Sequence, residues 1–178
     1  MGAKIIGASE QSYSVQGQQD TPVFGQKYSM DDTEWRVLCT GLNRLGRIAK
    51  EEYGISLTFH HHMGTVVQNP DEVKRLMENT EPEYVSLLFD TGHFAYRGAD
   101  PLEMAKTYMH RIRHVHLKDI RPEIVQEVRK KKRSFLDGVR MGHLPYRETE
   151  LLILNRYFRF WNVPDMKVYG SRGGTGSC

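Results

Sequence analysis

The chain has 178 residues, enough for one domain, and 25 basic against 22 acidic side chains leave a formal charge of only +3. Apart from Arg129–Lys130–Lys131–Lys132–Arg133 the basic residues are dispersed, which is no footprint for nucleic acid, and that run reads as a solvated helix end. A hydrophobic share of 39% permits a core, and no apolar run approaches the roughly 20 residues of a membrane span. The opening MGAKIIGASEQ has no signal-peptide core, and Cys39 and Cys178 cannot build a disulfide framework, so a soluble protein of the reducing cytoplasm is expected.

In chain order, Lys4–Ala8, Ile55–Phe59, Val85–Phe89 and Ile112–Leu117 are short runs rich in β-branched and aromatic residues, the pattern of buried strands. Gln11–Ser29 is polar, with Gly, Gln and Pro, and reads as a long loop of the kind that carries function. Asp31 or Asp32 caps a helix running to about Tyr53, with Trp35, Leu38, Leu42, Leu45 and Ile48 on one stripe. Asn69-Pro70 opens a second helix with Val73, Leu76 and Met77 inward. Asp100-Pro101 opens a third with Leu102, Ala105 and Met109, and Arg121-Pro122 a fourth with Ile124, Val125 and Val128. Strands alternating with helices predict βαβ units and a parallel sheet. After about Met141 the pattern fails.

Three of the strands end in polar clusters: Thr58-Phe59-His60-His61-His62, Asp90-Thr91-Gly92-His93 and His114-Val115-His116-Leu117-Lys118-Asp119. Alternation puts Thr58, His60 and His62 on one face, and His114, His116 and Lys118 on another. A single strand histidine is more often a hydrogen-bonded core residue than a ligand. Asp90 alone reads as a helix cap or as a turn residue before Gly92. Three adjacent strands delivering imidazole and carboxylate at their C-terminal ends, where parallel α/β folds place their sites, instead indicate a metal or polyol site. The donor set suits Mn, Co, Fe or Zn.

The stretches SLLFDTGHFAYRGADP, IRHVHLKDIRPE and SLTFHHHMGTVVQNPDEV resemble the xylose-isomerase-like TIM-barrel superfamily of sugar isomerases and epimerases. Within it they look most like the inosose dehydratases, as do MGAKIIGASEQSYSVQGQ and KKRSFLDGVRMG. The resemblance implies an α/β fold of the (β/α)8 type, present as about strands four to seven in residues 1–142. It also implies a divalent ion, Mn or Co, and loss of water from 2-keto-myo-inositol. Carried over by motif, Asp90 and His116 are metal ligands and His93 faces substrate. The Glu ligand expected on the strand reading LTFHHHM is replaced by Thr58 or His60. His60 is the candidate, because Thr is a poor ligand. His62, His93, Lys118 and Glu10 are the titratable candidates for acid and base. A keto-sugar isomerase or epimerase of the same superfamily is the near alternative. A non-catalytic barrel fragment that binds sugar or a partner chain is the alternative of another class.

Residues 143–178 match nothing in that pattern, and the last strand with its Glu ligand is missing. A synonymous coding of His143–Phe158, with third bases freely chosen, reads one base earlier as LTVPGDGVIDFEPVF, a string expected next in the resembled dehydratases. Tyr169–Cys178, read from its second base, gives MVVEAEQDP, which looks like their final strand. The tail is therefore expected to be an out-of-frame translation.

Overall fold

A computed structural model describes residues 2–143, so the expected tail lies, apart from His143, outside the described residues. Four strands, β1 (Ile5–Ala8), β2 (Ser56–His60), β3 (Val85–Asp90) and β4 (Ile112–His116), form one sheet in chain order. Every neighbouring pair is parallel. The sheet is parallel, as the alternation of strands and helices predicts, and is a four-stranded segment of the barrel type that the resemblance implies. Among the described residues no further strand pairs with β1 or β4, and Ile5 and Ile6 on β1 are 38% and 47% exposed. Among the described residues no helix is long and apolar enough to cross a membrane.

Helix α1 (Asp32–Tyr53) starts at a capping box in which Asp31 accepts from Thr33 and Glu34 N–H groups and Glu34 reaches back to Asp31 N–H. It stops at Gly54, whose left-handed φ of 62° suits glycine. The buried positions are Trp35, Cys39, Leu42 and Gly46, whereas Leu45 and Ile48 are exposed. The expected stripe is thus rotated. A Cβ on Gly46 would run into the Tyr84 carbonyl, so the smallest residue marks the closest approach of the helix to the chain entering β3.

Asn69 and Glu72 form a second capping box for α2 (Pro70–Glu78), which buries Val73, Leu76 and Met77. Two short helices, α3 (Thr91–Arg97) and α4 (Pro101–Tyr108), follow β3. The sequence pattern does not separate α3 from β3, because strand and helix share Asp90 as last residue and cap. Met109, expected to face inward from α4, lies beyond its end and is half exposed. After β4 come α5 (Pro122–Lys130) and α6 (Phe135–Arg140), the latter without a clear sequence signal. Arg129–Lys132 are exposed as expected of a solvated helix end, and Lys131 pairs with Glu127 at 2.7 Å.

The helix-side core gathers Trp35, Leu57, Phe59, Val66, Val85, Leu87, Phe89 and Phe94 with the partly buried Ile112 and Val115. By alternation Thr58, His60, Ser86, Leu88 and Asp90 take the opposite, inner face. On β4 the register skips Arg113: Leu87 pairs with Ile112 and Leu88 with His114. This bulge re-phases the strand, so that His114 and His116 turn inward. A second core of Val23, Met63, Tyr96, Val125, Val128 and Phe135 lies beside the C-terminal strand ends. The polar Gln11–Ser29 segment has no regular element. It is fastened by Val15 N–H to Gly64 O, by Val23 N–H to Arg133 O and by a 2.6 Å Lys27–Glu72 ion pair.

Candidate metal centre

Asp90 is the last residue of β3, fully buried, and register places it opposite His116 on β4. Its Oδ1 accepts the His93 N–H at 3.0 Å and caps α3. Its Oδ2 faces four side chains. His60 Nε2 and His116 Nδ1 each lie 3.4 Å away, Lys118 Nζ lies at 2.7 Å and His93 Nε2 at 3.7 Å. The donor atoms of His60, Asp90 and His116 all fall within 4.8 Å of one another. The fold therefore assembles the three expected ligands, together with His93 and Lys118 from the acid–base set.

Burial by itself would raise the Asp90 carboxyl. The contacts of His116 and His60, with further help from His93 and Lys118, outweigh it and hold the group well below the ordinary carboxylate range. Burial pushes His61 down to about 3 and His62 to about 4, and takes His93 well below its usual value despite the attraction of Asp90. These three imidazoles are neutral at pH 7.

His62 Nδ1 lies 2.8 Å from the Met63 carbonyl and must donate to it, which leaves Nε2 without the proton. The His62 ring lies 3.8 Å from that of His93 and 5.4 Å from that of Phe135. Phe135 thus forms an apolar wall beside the histidines, a role its place between basic and apolar residues does not signal. His114 shares the inner face, 5.1 Å ring to ring from His116, and makes no contact with Asp90. Glu10 is not brought to the carboxylate among the described contacts: its Oε1 accepts from Ser12 N–H, while Oε2 is buried without a partner. Thr91 was not singled out by sequence, yet its hydroxyl accepts the Lys118 N–H at 2.8 Å and donates to the Lys118 carbonyl at 2.6 Å. The signal for it was its place beside Asp90.

The residues fit a divalent cation. Among the described residues, His116 Nδ1 and His93 Nε2 are buried nitrogens with no hydrogen-bond partner, beside an anionic carboxylate.

A parallel sheet of barrel type with a His–Asp–His group able to hold a cation at its C-terminal strand ends defines the class. A sequence-family profile described as xylose isomerase-like TIM barrel matches residues 1–161, and the chain belongs to that family. The chain is 55% identical over 142 residues to the inosose dehydratase of Clostridium perfringens, covering 80% of this chain and 48% of that one. It is 44% identical over 167 residues to inosose dehydratase 2 of Bacillus cereus, covering 94% of this chain and 56% of that one. The chain thus spans about half the length of the curated relatives it matches. The family match runs past residue 142, the expected boundary of the barrel segment. A xylose isomerase-like TIM barrel protein from Mycobacterium smegmatis, solved in complex with magnesium, shares the fold. Its TM-score is 0.52 at 21% identity, over 70% of this chain and 43% of that one.

Proposed function

We propose that the chain carries the metal-binding part of a cytoplasmic hydro-lyase that removes water from 2-keto-myo-inositol, with Mn or Co as the ion. The observation that supports this best is the convergence of His60, Asp90 and His116, within a segment 55% identical to an inosose dehydratase. Asp90, His116 and His60 would hold the ion, which supplies Lewis-acid polarisation of the ketone. Dehydration breaks a C–H bond next to the carbonyl and the C–O bond of the neighbouring hydroxyl. His62, neutral and protonated on Nδ1, offers Nε2 to take the proton. The Lys118 ammonium is the donor for the departing hydroxyl. His93, neutral beside Asp90, orients substrate, and the Phe135 wall keeps water from that side. Glu10 is left as a substrate contact through its unpartnered Oε2.

The test is an assay of water loss from 2-keto-inositol with added Mn²⁺ or Co²⁺, on this chain and on its Asp90→Ala variant. Turnover or metal binding that survives the substitution would sink the assignment. The exposed Ile5 and Ile6 on the outer strand β1 favour a second reading, in which this chain alone binds ligand or a partner chain without turnover. Light scattering beside the same assay separates the two: an active monomer excludes the second reading.

A further inference from the structure

We infer that Lys118 is a built-in competitor for the cation site, clamped in place by Thr91, and that it sets how tightly a divalent ion binds. The inference rests on the metal reading above. The ammonium lies 2.7 Å from Asp90 Oδ2, the same oxygen that faces His60 Nε2 and His116 Nδ1. The other oxygen, Oδ1, is taken by the His93 N–H. A divalent ion and the ammonium therefore seek one atom. Asp90 is fully buried while the Lys118 side chain is 33% exposed, so water screens two like charges sharing the carboxylate only in part.

Lysine is a compact point charge on a flexible stem, and a surface lysine would leave at little expense. Lys118, whose side chain is 33% exposed, differs in that its backbone is held beside the carboxylate. The Thr91 hydroxyl both accepts the Lys118 N–H and donates to its carbonyl, at 2.8 and 2.6 Å. Thr91 is 1% exposed and directly follows Asp90, so the backbone of the competing cation is tied to the residue beside its acceptor. A single hydroxyl makes both bonds; serine can reproduce them and valine can make neither. Were an ion to take Oδ2, the held backbone would keep the displaced ammonium within a side chain's reach of the site. An ordinary buried ion pair that merely neutralises Asp90 for folding makes a different forecast: removing Lys118 would loosen the site and weaken metal binding.

Titrating the full chain with Co²⁺, followed by its visible absorption, separates these. Lys118→Met is expected to bind Co²⁺ at least tenfold tighter than the wild type. Lys118→Gln, which keeps a polar side chain at the position, should shift in the same direction. Thr91→Val should tighten binding by a smaller factor, and Thr91→Ser should match the wild type. Circular dichroism and thermal melts establish that each variant is folded. Equal or weaker binding in both folded Lys118 variants overturns the inference, and leaves the metal reading standing if Asp90→Asn abolishes binding. A folded wild-type chain that takes up no Co²⁺ overturns both.

Discussion

Asp90 Oδ1 accepts the backbone N–H of His93 at 3.0 Å while Oδ2 faces His60, His116 and Lys118, so one carboxylate caps a helix and anchors the site. The two duties separate by substitution. Asp90→Asn retains a cap oxygen, and asparagine is as good a cap as aspartate. It should therefore keep the cap, lose only the stability that the charge gains from Lys118 and the histidines, and bind Mn²⁺ or Co²⁺ at least a hundredfold more weakly. Asp90→Ala should lose the metal and, in addition, about 1 kcal/mol of stability. Melting curves and metal titrations on the pair check this; an Asn variant that keeps its metal contradicts it.

Acid should destabilise the chain well before carboxylates in general protonate. His61 is held at about 3 and His62 at about 4 by burial, against an ordinary histidine value near 6.5. Below pH 6.5 the unfolded chain binds protons that the folded chain refuses, so stability is full above that pH and falls as pH drops toward 4. Each such group steepens the slope by up to about 1.4 kcal/mol per pH unit. Urea unfolding at pH 7.5, 6.0 and 5.0 should show a progressive fall in midpoint. His61→Phe should reduce the slope; a flat profile in the wild type would count against neutral buried histidines.

Arg111, at 4% exposure, fastens the N-terminal ends of β3 and β4 to the end of α2. It donates to Met77 O and Val85 O at 2.8 Å and to Thr80 Oγ1 at 2.9 Å. Arg111→Met removes the partner of buried carbonyls and should cost about 2–4 kcal/mol in denaturant unfolding. Arg111→Lys should recover only part, since an ammonium lacks the planar fork. Both variants lie at the opposite end of the strands from Asp90, so Co²⁺ affinity of the folded chain should stay unchanged.

The coding DNA should carry a frame change just after codon 142 and a second one before codon 169. The out-of-frame strings LTVPGDGVIDFEPVF and MVVEAEQDP motivate this. An uninterrupted authentic frame through both positions would end the idea.

The sequence exposed the punctuation of the fold with little loss. Asp31, Asn69 and Asp100 cap the helices they precede, and Pro70, Pro101 and Pro122 sit at first helical positions, because caps and prolines act within a few residues. The same locality limited it on α1, where counting large apolar residues favoured Leu45 and Ile48 over Cys39 and Gly46. Only contact with Tyr84 shows that a glycine is the buried position there. Helix α3 was hidden because its cap is also a strand residue.

For the site, residue chemistry marked the three polar strand ends, and the motif resemblance picked His60, Asp90 and His116 from them as a donor set. Tertiary structure decided the rest. The bulge at Arg113 turns His114 and His116 inward. Pairing across β3 and β4 sets His116 beside Asp90, Thr91 holds the Lys118 backbone, and Lys118 Nζ reaches Oδ2. Register between distant strands is a non-local quantity, fixed by hydrogen bonds between residues far apart in the chain, such as Asp90 and His116, 26 apart. Side-chain type is written in the sequence; which oxygen of a carboxylate meets which nitrogen depends on how those strands pair.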